Sequence, residues 1–274
     1  METITNTLRD SKAARWTALT VVSFTMLCGY YLADVMAPLK PMLEKELLWN
    51  STEYGFFTSA YGWFNVFLVM LILGGIILDK KGVRFTGNMS TMTMVAGTAV
   101  KYWAISTHSL DGLHFLGMKA QVVVAALGYA TFGVGVEVAG ISVTKIIVKW
   151  FKGKEMALAM GLQLSSARLG TALALFASYP IAVWMGGVAK PVFLGLILIC
   201  IGMISFFLYT IQDKRLDKSV AEEAAIAGSA EEESFKMADM WFIIKNKGWW
   251  YIAILCVLFY SAVFPFLKYA SDLM

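Results

Sequence analysis

Charge is scarce in this chain. Only 15% of its 274 residues are Asp, Glu, Lys or Arg, while 58% are hydrophobic; soluble domains average about 25% charged and about 45–50% apolar. That shortage excludes a disordered segment, a coiled coil and an ordinary water-soluble enzyme. Cysteine is sparse too. Cys28, Cys200 and Cys256 each lie in an apolar run without metal-ligand spacing, so they read as buried thiols rather than a disulfide or zinc set. The two histidines, His108 and His114, share one polar stretch where a solvated role is the default, no nucleophile–base set accompanies them, and no Gly-x4-Gly-Lys phosphate loop occurs. Nothing in the residues calls for catalysis, a metal, a cofactor, direct use of ATP or a nucleic-acid partner.

What the chain has in quantity is long apolar sequence. A helix needs about 20 apolar residues to cross hydrocarbon, and seven stretches reach that scale: 16–36, 54–78, 85–107, 120–148, 156–185, 191–211 and 249–267. Stretches of this length are helices rather than strands. The first is not a signal peptide, because its apolar run is long and no small-residue cleavage site follows. The expected fold class is an all-α membrane protein.

Lys and Arg concentrate in alternate loops. Arg9, Lys12 and Arg15 precede the first span; Lys80, Lys81 and Arg84 follow the second; Lys149, Lys152 and Lys154 follow the fourth; Lys214, Arg215, Lys218, Lys236, Lys245 and Lys247 follow the sixth. The other loops hold only Lys40, Lys45, Lys119 and Lys190. This asymmetry puts the N-terminus in the cytoplasm. Residues 1–15 then form a cytoplasmic N-terminus, 16–211 a six-span unit, 212–248 a cytoplasmic segment, and 249–274 one further span. Within 212–248, an acidic linker over Ala221–Ser234 leads into a short interfacial amphipathic helix over Phe235–Lys245. The layout is that of one complete half and the opening of a second, whose remaining spans would be its partner.

Between spans two and three the chain reads Gly75-Ile-Ile-Leu-Asp79-Lys80-Lys81-Gly82-Val83-Arg84. Gly82 allows a tight reversal, and Arg84 lies within reach of Asp79 or of a helix end. By itself this is an ordinary basic loop. The combination after the second of six spans resembles the signature of the major facilitator superfamily, Gly-x-x-x-Asp-Arg/Lys-x-Gly-Arg/Lys-Arg/Lys, with Val83 departing at one basic position. Trp150-Phe151-Lys-Gly-Lys154-Glu155 between spans four and five is a second likeness. The resemblance covers the whole chain and implies a bundle of two six-helix halves around a central cavity. It assigns Gly75, Asp79, Lys80, Gly82 and Arg84 to gating, with Asp79 pairing across the halves.

Ionisable groups in hydrocarbon cost at least about 2.5–3.5 kcal/mol each and so face a partner or a cavity. Glu137 lies 13 residues before Trp150, and Arg168 lies 13 residues after Glu155. Both are therefore about 20 Å from the same cytoplasmic hairpin. One reading is a structural salt bridge joining two helices. The other is a solute site, in which Glu137 takes a cationic group and Arg168 clamps a carboxylate with its planar fork. A zwitterion such as an amino acid or short peptide answers both demands. Gly128, Gly133, Gly135 and Gly140 permit close helix approach under either reading.

The Glu and Arg arrangement, Tyr54-Gly-Phe-Phe-Thr-Ser-Ala-Tyr61 with Asn65, and Phe259-Tyr260-Ser-Ala-Val-Phe264-Pro265-Phe266 resemble in particular the branch that includes the lysosomal dipeptide uniporter. That resemblance implies dipeptide transport, with Glu137 at the amino end and Arg168 at the carboxylate end. By side-chain type Tyr61, Asn65 and Tyr260 are further candidate substrate contacts, against the packing or interface role that aromatic residues in spans commonly have. The alternative within the superfamily is transport of a small anion or organic acid, with Glu137 and Arg168 as a structural or proton-coupling pair. A seven-span receptor or retinal pump is disfavoured by the cytoplasmic N-terminus and by Lys268, which comes at the outer end of its span. Asp34 is expected near the outer interface, with a cavity role as its second reading, and Lys145 is expected to snorkel to headgroups. The expected setting is a multi-pass position in a bilayer, the cell membrane of a prokaryote, with a small solute and a coupled proton as candidate cargo.

Overall fold

The computed structural model describes residue 8 and residues 10–115, 117–227 and 245–273. They are helical almost throughout, apart from a two-residue hairpin that pairs His114–Phe115 with Met118–Lys119. The expected all-α bundle is the one formed. Helix α1 (Lys12–Asp34) opens at Ser11, whose hydroxyl accepts the Ala14 N–H. A 3-10 turn at Ala37–Leu39, with Pro38 at its start, separates it from the short α2 (Lys40–Glu46). Helix α3 (Ser51–Ser59) starts in a reciprocal capping box between Asn50 and Glu53. A second 3-10 turn and α4 (Trp63–Phe67) continue the same span to a break at Leu68, and α5 (Met70–Ser106) follows.

Among the described residues five helices are long and apolar enough to cross a membrane, and the broken pair Ser51–Phe67 with Met70–Ser106 makes a sixth. That pair contains a reversal. In one straight helix Gly74 and Met94 would lie about 30 Å apart. Both instead pack on the same turns of α6 (Ala120–Phe151): a Cβ on Gly74 would sit 2.6 Å from Val138, and one on Gly135 would sit 2.6 Å from Met94. The chain turns at Gly82, with φ 77° and ψ 171°, a backbone shape that favours glycine. Residues 51–81 thus run parallel to α6 and residues 83–106 return antiparallel to it. Counted as legs, these are the second and third spans of the sequence reading.

Two expectations need correcting beyond this point. Helix α8 (Lys190–Ala227) does not stop near residue 211 but carries on for four more turns, so the segment read as a soluble linker begins as helix. Its charges are tolerated because Asp213 and Asp217 meet basic partners on neighbouring helices. The interfacial helix over Phe235–Lys245 lies, except for Lys245, outside the described residues. Cysteine burial is graded: Cys28 is buried, Cys200 half-buried and Cys256 exposed. The last sits on α9 (Lys247–Leu273), whose most apolar stretch holds no buried residue among the described residues.

Helix α6 is the platform of the bundle. A Cβ on Gly97 would stand 2.4 Å from the Phe132 backbone N, and one on Gly133 would stand 2.2 Å from the Tyr61 carbonyl. Gly170 on α7 (Met156–Met185) meets the Leu27 carbonyl of α1 in the same way, at 2.2 Å. Such backbone-to-backbone contact is how helices associate where lipid removes the hydrophobic drive. Gly140 meets only the tip of Met26, so three of the four glycines expected at close approaches are used. Outward, α7, α8 and α9 present Leu164, Phe176, Trp184, Leu208 and Leu255, an apolar surface suited to hydrocarbon. This is an integral, multi-pass membrane protein.

Gly97→Ala is expected to destabilise by about 1–3 kcal/mol through overpacking against backbone that has nowhere to move. Gly75→Ala, where a Cβ meets nothing within 4 Å, is expected to be neutral or slightly stabilising. Thermal unfolding of the two variants in one detergent checks the contrast.

Candidate functional site

A cavity of about 500 Å³ lies between α1, α3, α6, α7 and the end of α9. Glu137 of α6 and Arg168 of α7 both line it. Each is held by a tyrosine. The Tyr61 hydroxyl donates to Glu137 Oε1 at 2.8 Å, and the Arg168 guanidinium carbon lies 5.7 Å from the centre of the Tyr30 ring. Among the described residues Glu137 and Arg168 form no ion pair with each other, so the salt bridge weighed from the sequence is not made. The ring face holds the guanidinium by cation–π attraction and leaves its N–H edge available to a carboxylate. Glu137 likewise keeps lone pairs beyond the one that Tyr61 uses.

A second charge pair enters the same cavity, one that the sequence did not bring together. Asp34 was expected near the outer interface and Lys268 at the outer end of its span. Both line the cavity, with Lys268 Nζ 2.7 Å from Asp34 Oδ1. The Thr171 hydroxyl donates to the other Asp34 oxygen at 2.8 Å. Lys268 Nζ also donates to the Ala33 carbonyl at 2.5 Å and to the Tyr129 hydroxyl at 3.1 Å. Beneath them Lys101 is wholly buried, donating to the Leu32 carbonyl at 3.0 Å between the rings of Tyr129 and Phe132. The last carbonyls of α1 have no partner within the helix, and these ammonium groups supply one. Matching depth was the available signal, since opposite charges at the outer ends of the first and last spans fall at one level.

The remaining expected contacts divide. Tyr61 lines the cavity. Tyr260 does not; it stacks on Phe264, which does, with ring centres 5.1 Å apart. Asn65 is outside the lining as well, one turn beyond Tyr61 where the span breaks, and both polar atoms of its side chain are buried without a hydrogen-bond partner.

At the basic end of the bundle the Gly75–Arg84 motif splits across the reversal. Asp79, on the outgoing leg, pairs with Lys145 of α6 at 2.7 Å, so Lys145 has a carboxylate partner as well as an exposed position. Arg84, on the return leg, does not reach Asp79. It binds Asp213 and Asp217 of α8, because that leg packs against α8. Asp213 is fully buried and also accepts from Lys149 at 2.8 Å, Trp150 at 3.2 Å and the Tyr209 hydroxyl at 2.9 Å. Gly75 faces open space while its neighbour Gly74 makes the close contact, and Lys80 is exposed. Glu155, in the hairpin before α7, is held below the ordinary carboxylate range by its own backbone N–H and then by Arg15, whose guanidinium lies 3.1 Å away.

With bundle and cavity described, the class is plain, and comparison with known proteins agrees. A family model described as Major Facilitator Superfamily matches residues 19–273, and the chain belongs to that family. It is 29% identical over 250 residues to the lysosomal dipeptide transporter MFSD1 of Danio rerio, covering 87% of this chain and 50% of that protein. The human protein of the same name is 26% identical over 267 residues, covering 93% of this chain and 53% of its own length. A chloroplastic ascorbate transporter of Arabidopsis thaliana is 28% identical over 158 residues, 57% of this chain and 26% of that one. The chain thus spans about half the length of the dipeptide transporters it matches. These relatives are eukaryotic and organellar by name, which gives the expected prokaryotic cell membrane no support.

Asp213→Asn leaves Arg84 and Lys149 with Asp217 as their shared carboxylate and weakens the hydrogen bonds of a fully buried group; it is expected to destabilise by about 1–3 kcal/mol. Asp79→Asn, at a half-exposed pair, should cost under about 1 kcal/mol. Thermal unfolding in detergent measures both.

Proposed function

We propose that this chain carries the charged half-site of a secondary transporter that binds a dipeptide or similar zwitterion, Glu137 taking the amino end and Arg168 the carboxylate. The observation that carries this reading is that two opposite charges at matching depth line one cavity without pairing with each other. An unpaired acid and base in a low-dielectric site are attractive to a ligand bearing the complementary charges, and a guanidinium suits a carboxylate bidentately. The names of the lysosomal relatives support the same solute class. Movement follows alternating access, the six-span unit rocking against its counterpart around the mid-membrane site. The N-terminus faces the cytoplasm, and the Gly82 reversal with the Asp79–Lys145 contact forms part of the moving basic end. Glu137 is the candidate carrier of a coupled proton.

A second reading, transport of an organic anion, is favoured by Arg168 and Lys268 lining one cavity and by the ascorbate relative. Ligand modification separates the two. Binding of Ala-Ala to purified protein, followed by calorimetry, is expected to weaken about 10–100-fold on N-acetylation or on Glu137→Gln, and equally on C-terminal amidation or Arg168→Ala. Loss with Arg168→Ala alone, and tighter binding of a simple carboxylate, favours the anion reading. Indifference to both substitutions contradicts the site.

A further inference from the structure

We propose that the outward side of α8, where the helix leaves the hydrocarbon at the basic end of the bundle, is a site for an anionic phospholipid, its headgroup held by Lys214, Arg215 and Lys218. The site lies outside the solute cavity and does not depend on which solute is carried.

Helix length sets the level of these cations. Ile197, Ile201, Ile204, Leu208 and Ile211 are exposed, and their spacing of three and four residues draws one apolar stripe down α8. From Phe193, also exposed, to Ile211 the helix rises about 27 Å, close to the about 30 Å of hydrocarbon in a bilayer. The next two positions on the stripe are Arg215 and Lys218, with Lys214 beside them, and all three are exposed. They stand one to two turns past the apolar end, at the depth of the headgroups. The stripe also faces away from the other helices. The opposite side of α8 meets α1 through Thr25 and the Gly202 carbonyl at 3.4 Å, α5 through Asn88 and Thr210 at 3.1 Å, and α6 through Trp150 and Tyr209 at 3.0 Å. Among the described residues α8 contributes nothing to the cavity lining, so a counterpart gathered around that cavity leaves the stripe to lipid.

The charge on that face is not answered within the helix. Acids share its turns, but Asp213 and Asp217 point inward and are committed to Arg84 and Lys149. Lys214, Arg215 and Lys218 make no ion pair among the described residues. Lys214 and Lys218 are one turn apart, a like-charge pair that disfavours a helix and that an anion between them relieves. An anionic phospholipid answers both parts of the surface at once, its headgroup among the cations and its acyl chains along Ile211 and Leu208. The lysine stems bend back toward the hydrocarbon boundary to meet it. A phosphatidylcholine headgroup brings its own cation into the cluster, and a soluble anion gains nothing from the apolar stripe. With the N-terminus cytoplasmic, as proposed above, these residues face the leaflet in which anionic lipids are concentrated and in which each Lys or Arg adds to the attraction.

Local quenching tests this. Ile211→Cys, with Cys28, Cys200 and Cys256 replaced by Ser, is labelled with bimane. The protein is placed in phosphatidylcholine nanodiscs that contain an equal minor fraction of either phosphatidylserine or phosphatidylcholine with a doxyl group near the headgroup end of one acyl chain. The serine-to-choline quenching ratio is expected to be about three to ten. It is expected to fall to about one when Lys214→Gln, Arg215→Gln and Lys218→Gln are combined, and to be kept by Lys214→Arg/Lys218→Arg. Lys214→Gln/Lys218→Gln serves where the triple variant does not yield folded protein. A ratio near one in the starting protein overturns the proposal, as does a high ratio that survives loss of the three cations. An equal fall from Lys80→Gln/Lys81→Gln, at the same end of the bundle on the outgoing leg of α5, marks diffuse surface charge and overturns the site as well.

Discussion

A charge inside hydrocarbon must be answered by an opposite charge, by backbone oxygen, by an aromatic face or by water. This chain uses all but the last among its own atoms. Lys101 takes a helix-end carbonyl and two rings; Lys268 takes a carboxylate, a carbonyl and a phenol; Asp213 takes two cations, an indole and a phenol. Glu137 and Arg168 stand apart from that pattern. Among the described residues each has an aromatic companion and neither pairs with an opposite charge. The cavity beside them is where the remaining answer comes from.

The helix that positions Glu137 does so because of its glycines. Gly128, Gly133 and Gly135 let the two legs around Gly82 press onto α6 backbone to backbone. Tyr61 is thereby brought onto Glu137, and Gly170 brings α1, with Tyr30, onto the helix that carries Arg168. The stack of Phe57 on Tyr129, 4.8 Å between ring centres, continues the same contact toward Asp34. Packing of small residues and orientation of the charged ones are one arrangement.

Much of this was legible in the sequence. Span count, fold class and family resemblance follow from apolar length, alternate basic loops and the Gly75–Arg84 motif. Matching depth for Glu137 and Arg168 follows from counting residues to one hairpin. The Asp34–Lys268 pair escaped because its partners are 234 residues apart and each was judged against the nearest interface rather than against the other. Asp213 escaped because a charged run after an apolar span reads as loop, whereas Asp213 and Asp217 face one side of a continuing helix, one turn beyond Tyr209. Arg84 was read as within reach of Asp79 or of a helix end, and the reversal at Gly82 sends Arg84 and Asp79 to different helices. Asn65 and Tyr260 were placed on the cavity by their type, and type does not say on which side of a broken or exposed helix a residue falls.

The central claim is that Glu137 and Arg168 together hold one zwitterion. An experimental structure of this protein with Ala-Ala bound tests it most directly. The account predicts the peptide's ammonium within about 3 Å of the Glu137 carboxylate and its carboxylate the same distance from the Arg168 guanidinium, with Tyr30 and Tyr61 still in place. A peptide bound elsewhere, with Glu137 and Arg168 closed onto each other, would contradict it.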